Sequence, residues 1–384
     1  MRQLYFALGL LVLNSALFSQ TQSIALKFGE LADFANNHSP VIEQLNQQLN
    51  LHKNERNIAL AWRNPAINFS EEGLDVNGIT EKEQFFTISK QFEMPWTYVM
   101  RRRAWNTFEN AAKLANHQQR TDFISEVKTG YVELQSMNGY AQQLNRFQHI
   151  INEIANIAEN QTGQGSLSAF DHKLIQMALF NLQAKLLSID KEKLQHEGEW
   201  KARLGIDQTQ QLNLVSAIPF KPVELKSVAA YLNSLEDTPG IRQANTEIDF
   251  LKKMTRVEST AMVPYFDFSG GLKRYADEQD GYIFGISIPL PVFNRNTQQA
   301  RKFDLQHNMH AARLSLHRNL LKNKIQGLKI QIDHSAALLS SNHALFATNE
   351  MTYDVLYNYQ QGVISVTDVV NTIQVYTESL QNYY

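Results

Sequence analysis

Three histidines, His307, His310 and His317, fall within about 80° of one helical face at 100° per residue, a grouping that can hold a transition metal. No carboxylate or thiolate completes the set, and the chain's 11 histidines are scattered over polar sequence, so a solvated face is the plainer reading. Two further constellations match one another: "TGQGSLSAFD" and "YQQGVISVTD" each carry a glycine, then a serine, then an aspartate three residues on. Ser168 with Asp171 and Ser365 with Asp368 are placed to cap a helix that starts after each glycine. A basic run, "MRRRAW" at 100–105, suits an ionic or lipid-headgroup contact. Nucleophile elbow, phosphate loop and paired-carboxylate motifs in a strand–helix context are all lacking, so the expectation is a protein that is not an enzyme and takes no cofactor.

Composition narrows the remaining classes. Lys+Arg 36 against Asp+Glu 38 leaves a formal charge of -2, which gives no whole-chain attraction for nucleic acid. The absence of cysteine removes disulfides, thiolate metal sites and lipobox acylation. The N-terminus "MRQLYFALGLLVLNSALFSQTQS" joins a basic Arg2 to an apolar run from Leu4 to Leu13 and then small polar residues, the pattern of a secretory signal over 1–20.

The elements that must position the motifs are duplicated. Laying 40–70 over 239–269 at a constant offset aligns Pro40/Pro239, Ile42/Ile241, Gln44/Gln243, Asn46/Asn245, Lys53/Lys252, Pro65/Pro264, Phe69/Phe268 and Ser70/Ser269 as identities. A repeat of this length is a duplicated domain, which divides the chain into a first repeat over 21–204, an inter-repeat segment over 205–237 and a second repeat over 238–384.

All 9 prolines lie outside 96–218 and 292–384, so both stretches are open to long helices. Val127, Tyr131, Leu134, Met137, Ala141, Leu144, Phe147, Ile151, Ile154 and Ala158 recur every three or four residues, a coiled-coil seam inside a helix about 100 Å long. The motif glycines punctuate these helices, so each repeat holds one helical hairpin. Segments 40–62 and 239–260 supply the length that the return helices lack.

Between the prolines lie four strands, 67–74, 85–92, 265–272 and 282–290. Tyr282, Phe284, Ile286, Ile288 and Leu290 alternate with Ile283, Gly285, Ser287 and Pro289, an apolar face backed by a smaller, more polar one, as in an outer-membrane barrel. Four strands cannot close a barrel, which needs about eight, and open edges are not tolerated in lipid. Several copies must therefore pool their strands. Glu71, Glu72, Asp75, Glu81 and Glu83 are expected in solvated loops at the strand ends.

"NPAINFSEEG" and "VPYFDFSGGL" at the two strand pairs, "ISIPLPVFNRN" before the second long helix and "YQQGVISVTDVVNTIQVY" at the second tip resemble the outer-membrane factor family of TolC-like efflux channels, most nearly its CzcC/CusC-type heavy-metal and multidrug branch. The resemblance implies a mainly α protein with a small β part: a homotrimer with a twelve-stranded barrel in outer-membrane lipid and a helical periplasmic tunnel. Its partners would be a periplasmic adaptor and an inner-membrane RND-type pump, its cargo metal cations or small toxic compounds. It further implies that Gly165, Ser166, Leu167, Gly362, Val363 and Ile364 contact the adaptor and that Asp368 and Asn371 stand at the pore constriction, although Asp368 also suits a plain capping role. Asn371 departs from the acidic residue expected there, many relatives carry an N-terminal cysteine that is absent here, and the last helix reaches Tyr384 about eighteen residues sooner than its first-repeat equivalent. A type I protein-secretion duct, or an exported coiled-coil scaffold or adhesin, are the alternatives.

Overall fold

The computed structural model describes residues 23–384 apart from 77–78, 216–224, 264, 276–278 and 348–349. The signal-peptide expectation over 1–20 lies outside the described residues. In chain order the elements are β1 (Ser23–Leu26), α1 (Leu31–His38), α2 (Pro40–Ala59), β2 (Ala66–Val76), β3 (Ile79–Glu93), α3 (Pro95–Gly163), α4 (Ala169–Leu204), β4 (Gln211–Leu214) and α5 (Val228–Asn233). They continue with α6 (Pro239–Thr260), β5 (Tyr265–Arg274), β6 (Asp280–Ser287), α7 (Thr297–Ala347), α8 (Glu350–Gln360) and α9 (Val366–Tyr383). The fold is mainly α with a small β part. The series helix, two strands, long helix, returning helix occurs twice.

Backbone contacts group the chain into two compact units, each drawing on both halves of the sequence. One comprises Leu45–Gln119 and Lys226–Gly327, the other the described parts of Met1–Gln44 and Arg120–Leu225 with Leu328–Tyr384.

The first of these units holds the four-stranded sheet, ordered β2-β3-β5-β6 and antiparallel throughout. Its helices pack through Ala104, Met254 and Val257, and through Leu235, Ile241 and Leu314. Buried polar contacts fix their register: Asn116 Nδ2 donates to the Leu45 carbonyl at 2.7 Å, and Lys253 Nζ to Thr107 Oγ1 at 2.8 Å. β3 ends at Glu93 and α3 begins at Pro95, because proline lacks the N–H a further ladder step needs but suits a first helical turn. In the second half β6 ends at Ser287, short of the expected Leu290, since Pro289 and Pro291 cannot donate. Asn296 then takes a left-handed φ of 59°, tolerable for asparagine, and α7 follows.

The sheet corrects one expectation. Glu71, Glu72, Asp75, Glu81 and Glu83 lie in paired strand, not in loops: Glu71 is opposite Gln84, Glu72 opposite Glu83, Asp75 opposite Thr80 and Glu81 opposite Leu74. Ladder bonds are made by the backbone, so charged side chains do not end a strand when they are exposed or partnered. Lys82 Nζ reaches Glu71 at 3.1 Å and Lys273 Nζ reaches Glu83 at 2.7 Å.

The second unit is built on the seam. Nine of its ten named residues are buried, and Met137 is half-buried. Leu144, Phe147, Ile151 and Ile154 pack with Ile175, Leu182 and Ile189 of α4, Val355 and Tyr359 of α8, and Val369, Ile373 and Tyr376 of α9, joining four helices in one core. The Phe147 and Tyr376 rings lie 4.4 Å apart. At the far end of this unit's sequence span, β1 pairs in parallel with β4, and Tyr131 Oη donates to the Leu26 carbonyl at 3.4 Å.

Candidate functional site

Two surfaces carry function-bearing geometry: one face of the sheet and the pair of helical tips. In the sheet, cross-strand register lines residues into rows. One row is Ile67, Ile88, Gly270 and Phe284, and the next is Phe69, Phe86, Leu272 and Tyr282. Apart from Gly270, these side chains are exposed, Tyr282 to 79% and Phe284 to 69%. The row beyond is charged and polar, Glu71, Gln84, Arg274 and Asp280, with Arg274 Nε donating to Asp280 Oδ1 at 3.0 Å. Below the apolar rows, Trp62 packs against Phe92 and Tyr98 at 5.9 and 5.4 Å, and Lys90 Nζ lies 6.0 Å from the Trp62 ring centre. An exposed apolar band with ionic residues on one side and aromatic residues on the other is the signature of a surface that faces lipid. The opposite face is more polar, with Asn68, Ser70, Thr87, Ser89 and Ser269 beside Phe85 and Ile283, and Asn68 Nδ2 donates to Ser89 Oγ at 3.1 Å.

The tips are built alike. Gly165 and Gly362 adopt φ of 75° and 68°, the left-handed conformation that ends a helix at least cost for glycine. Ser166 N–H donates to the Gln161 carbonyl and Val363 N–H to the Asn358 carbonyl, both at 2.9 Å, while each glycine N–H bonds three residues back at 3.0 Å. This is the Schellman arrangement in both places. Gly165, Ser166, Gly362 and Val363 are exposed, whereas Leu167 and Ile364 turn inward onto the shared core. Tyr359 Oη donates to Gln161 Oε1 at 3.3 Å, so the two tips meet.

The returning helices start on Ser168 and Ser365, whose hydroxyls accept from Asp171 N–H at 3.0 Å and Asp368 N–H at 3.2 Å. At the second tip the capping box is complete, with Ser365 N–H donating to Asp368 Oδ2 at 2.8 Å. The Ser365 hydroxyl, and after it the Ser365 N–H, hold the Asp368 carboxyl below the usual aspartate range. Asp368 therefore caps its helix, and it is exposed, as is Asn371 one turn further on.

No family model matches the chain. By sequence it is 21% identical over 253 residues, 62% of its length, to the nickel-cobalt-cadmium resistance protein NccC of Alcaligenes xylosoxydans xylosoxydans. The match spans about half of that relative, 54%. By structure it superposes on CusC, a protein that forms a transmembrane channel, with a TM-score of 0.76 at 14% identity, over 95% of this chain and 89% of the other. The outer membrane protein VceC of Vibrio cholerae superposes with a TM-score of 0.74 at 14% identity, over 93% and 91%.

The fold is that of the outer-membrane factors. The resemblance seen in the sequence, including its heavy-metal branch, holds. Among the described residues no helix of this outer-membrane-factor fold is long and apolar enough to cross a membrane.

Members of the histidine face and of the basic run take ordinary partners. His310 Nδ1 lies 3.6 Å from Glu247 and His307 Nδ1 lies 3.2 Å from Asn308 Oδ1, and among the described residues no three His, Asp or Glu groups gather around a metal position. Arg101 pairs with Glu93 at 2.8 Å across the strand-to-helix junction. Trp62 and Tyr98, which frame a pocket beside that pair, were not singled out by sequence reasoning. Trp62 lies in the link from α2 to β2 and Tyr98 in the first turn of α3, so their meeting is legible only once the strands are paired.

Proposed function

We infer that the chain is the outer-membrane exit duct of a tripartite efflux system. The single observation that carries this reading is the sheet: four antiparallel strands with an exposed apolar face, a more polar opposite face and, among the described residues, two unpaired edges, β2 and β6. Lipid tolerates no open edge, and three copies of four strands make a barrel of twelve. β6 of one copy runs antiparallel to β2 of the next, so the meander continues around a threefold axis. The helical hairpins then form the wall of a periplasmic tunnel. The exposed tip residues Gly165, Ser166, Gly362 and Val363 meet a periplasmic adaptor, with Leu167 and Ile364 holding them from behind, and the adaptor links the duct to an RND-type inner-membrane pump.

The likeness to a nickel-cobalt-cadmium resistance protein supports divalent metal cations as cargo. A threefold axis brings three Asp368 carboxylates together at the pore, with Asn371 one turn deeper, and the capping bonds from Ser365, which lower the carboxyl pKa, oppose the upward push of three like charges. Deleting the gene in its host tests the reading. Growth should become several-fold more sensitive to nickel, cobalt or cadmium and recover with the intact gene; unchanged metal tolerance with loss of a secreted protein would favour a protein-secretion duct instead.

A further inference from the structure

Past the end of β6, Leu290, Val292 and Phe293 are exposed, Phe293 fully so at 101%. Three exposed apolar side chains in one short segment make a surface that burial against a partner would stabilise. Beside the start of β2, Trp62, Arg63, Tyr98 and Tyr265, together with the Glu93–Arg101 ion pair, line a pocket of about 130 Å³. That is close to the ~150 Å³ apolar cavity that accommodates a benzene ring. The Arg63 guanidinium lies 5.9 Å from the centre of the Tyr265 ring, and the Trp62 and Tyr98 rings stand 5.4 Å apart. Rings and a guanidinium plane together form a receptor for an aromatic side chain.

Phe293 does not fill the pocket of its own chain, since it is fully exposed. The pocket of the next copy can receive it. Twelve strands about 4.8 Å apart, rising about 3.3 Å per residue and tilted about 40°, need a total stagger of about fifteen residues, or about five per copy. Side chains keep to their own face only for an even shift, which leaves about four or six. Within one copy Phe284 shares a row with Ile67. Shifting that row so that β6 stays paired along β2 sets Phe284 beside residue 71 or 73 of the neighbour. The opposite shift would leave most of β2 unpaired. Ser287, the end of β6, then lies beside residue 68 or 70, and the chain from there to Phe293 runs on, no longer as paired strand, past the start of β2 toward 62–64.

We propose that Phe293 of each copy seats in the Trp62–Arg63–Tyr98 pocket of the next, an aromatic lock at the base of the barrel. The proposal rests on the exit-duct reading, and the test separates the two. The chain contains no cysteine, so engineered pairs report without background. In outer-membrane vesicles under mild oxidation, Ser287→Cys combined with Asn68→Cys or Ser70→Cys reports β6–β2 pairing between copies, and Phe293→Cys combined with Asn64→Cys reports the lock. Both sets should shift most of the chain into covalent dimers and trimers. Cross-linking of a strand pair without the Phe293 pair, as expected were the pocket filled by lipid headgroups, overturns the lock and leaves the duct. Failure of both strand pairs removes the duct reading and the lock with it. As a second readout, Phe293→Ala should lower the temperature at which the oligomer dissociates and Phe293→Tyr should not; equal melting of all three proteins overturns the lock.

Discussion

The seam and the sheet use the same side chains to opposite ends. Phe147 and Ile151 on α3 are sealed between helices, while Phe284 and Ile286 on β6 stand open, Ile286 to 70%. Both sets are apolar and regular, so hydrophobicity alone does not separate them. Period separates them: a spacing near 3.5 wraps one stripe against partner helices, whereas a spacing of two puts every second residue on one face with nothing from the same chain to cover it. An uncovered apolar face beside a polar one calls for a solvent that is itself apolar.

The sharpest break in that comparison is a truncation on each side. Phe147→Ala leaves a cavity in the helical core and should cost about 3–5 kcal/mol, read as a large drop in the melting of the helical circular-dichroism signal. Phe284→Ala should leave that melting almost unchanged. Next in size is a charge in the band. Phe284→Arg should oppose insertion into liposomes by about 2–4 kcal/mol, lowering the inserted fraction, whereas Asn68→Arg on the opposite face should insert normally. Equal insertion of the two would mean that the exposed face does not meet lipid.

Much of this contrast was legible beforehand because it is local. The seam residues, the start of α3 after Met94-Pro95 and the full extent of α6 follow from spacing and proline positions. Other features depend on partners distant in sequence. β1 and β4 are four-residue strands that pair across most of the first half, and neither segment carries a pattern long enough to announce it. Glu71 and Glu83 looked like loop because their neutralising partners, Lys82 and Lys273, are visible only after register is set. Of the site, the tip glycines and their serine caps could be read directly, since each depends on residues within one turn. That Leu167 and Ile364 point inward could not, because their direction is fixed by a core drawn from four helices.

Smaller effects sharpen the tips. Ser365→Ala should cost about 1 kcal/mol, and Ser168→Ala a similar amount, measured as melting temperatures. The folded Asp368 carboxyl titrates below its unfolded value, so its contribution is complete above about pH 3.9 and is lost as the pH falls from there through the folded value. The gap in stability between the protein and its Asp368→Asn variant should therefore close below about pH 4 and persist at pH 7. Smallest in stability but distinct in kind is the effect on ions: Asp368→Ala should weaken cation selectivity and block by multivalent cations, and Asp171→Ala should do neither. Equal effects would leave Asp368 a helix cap and nothing more.

The pooled barrel is tested most directly by recording current across a planar lipid bilayer after adding protein purified from outer membranes in detergent. The account predicts stepwise, ohmic conductance increments carried by an oligomer, abolished when Phe284→Arg keeps the sheet out of the bilayer. A monomer that stays soluble without detergent and adds no conductance at any protein concentration would contradict it.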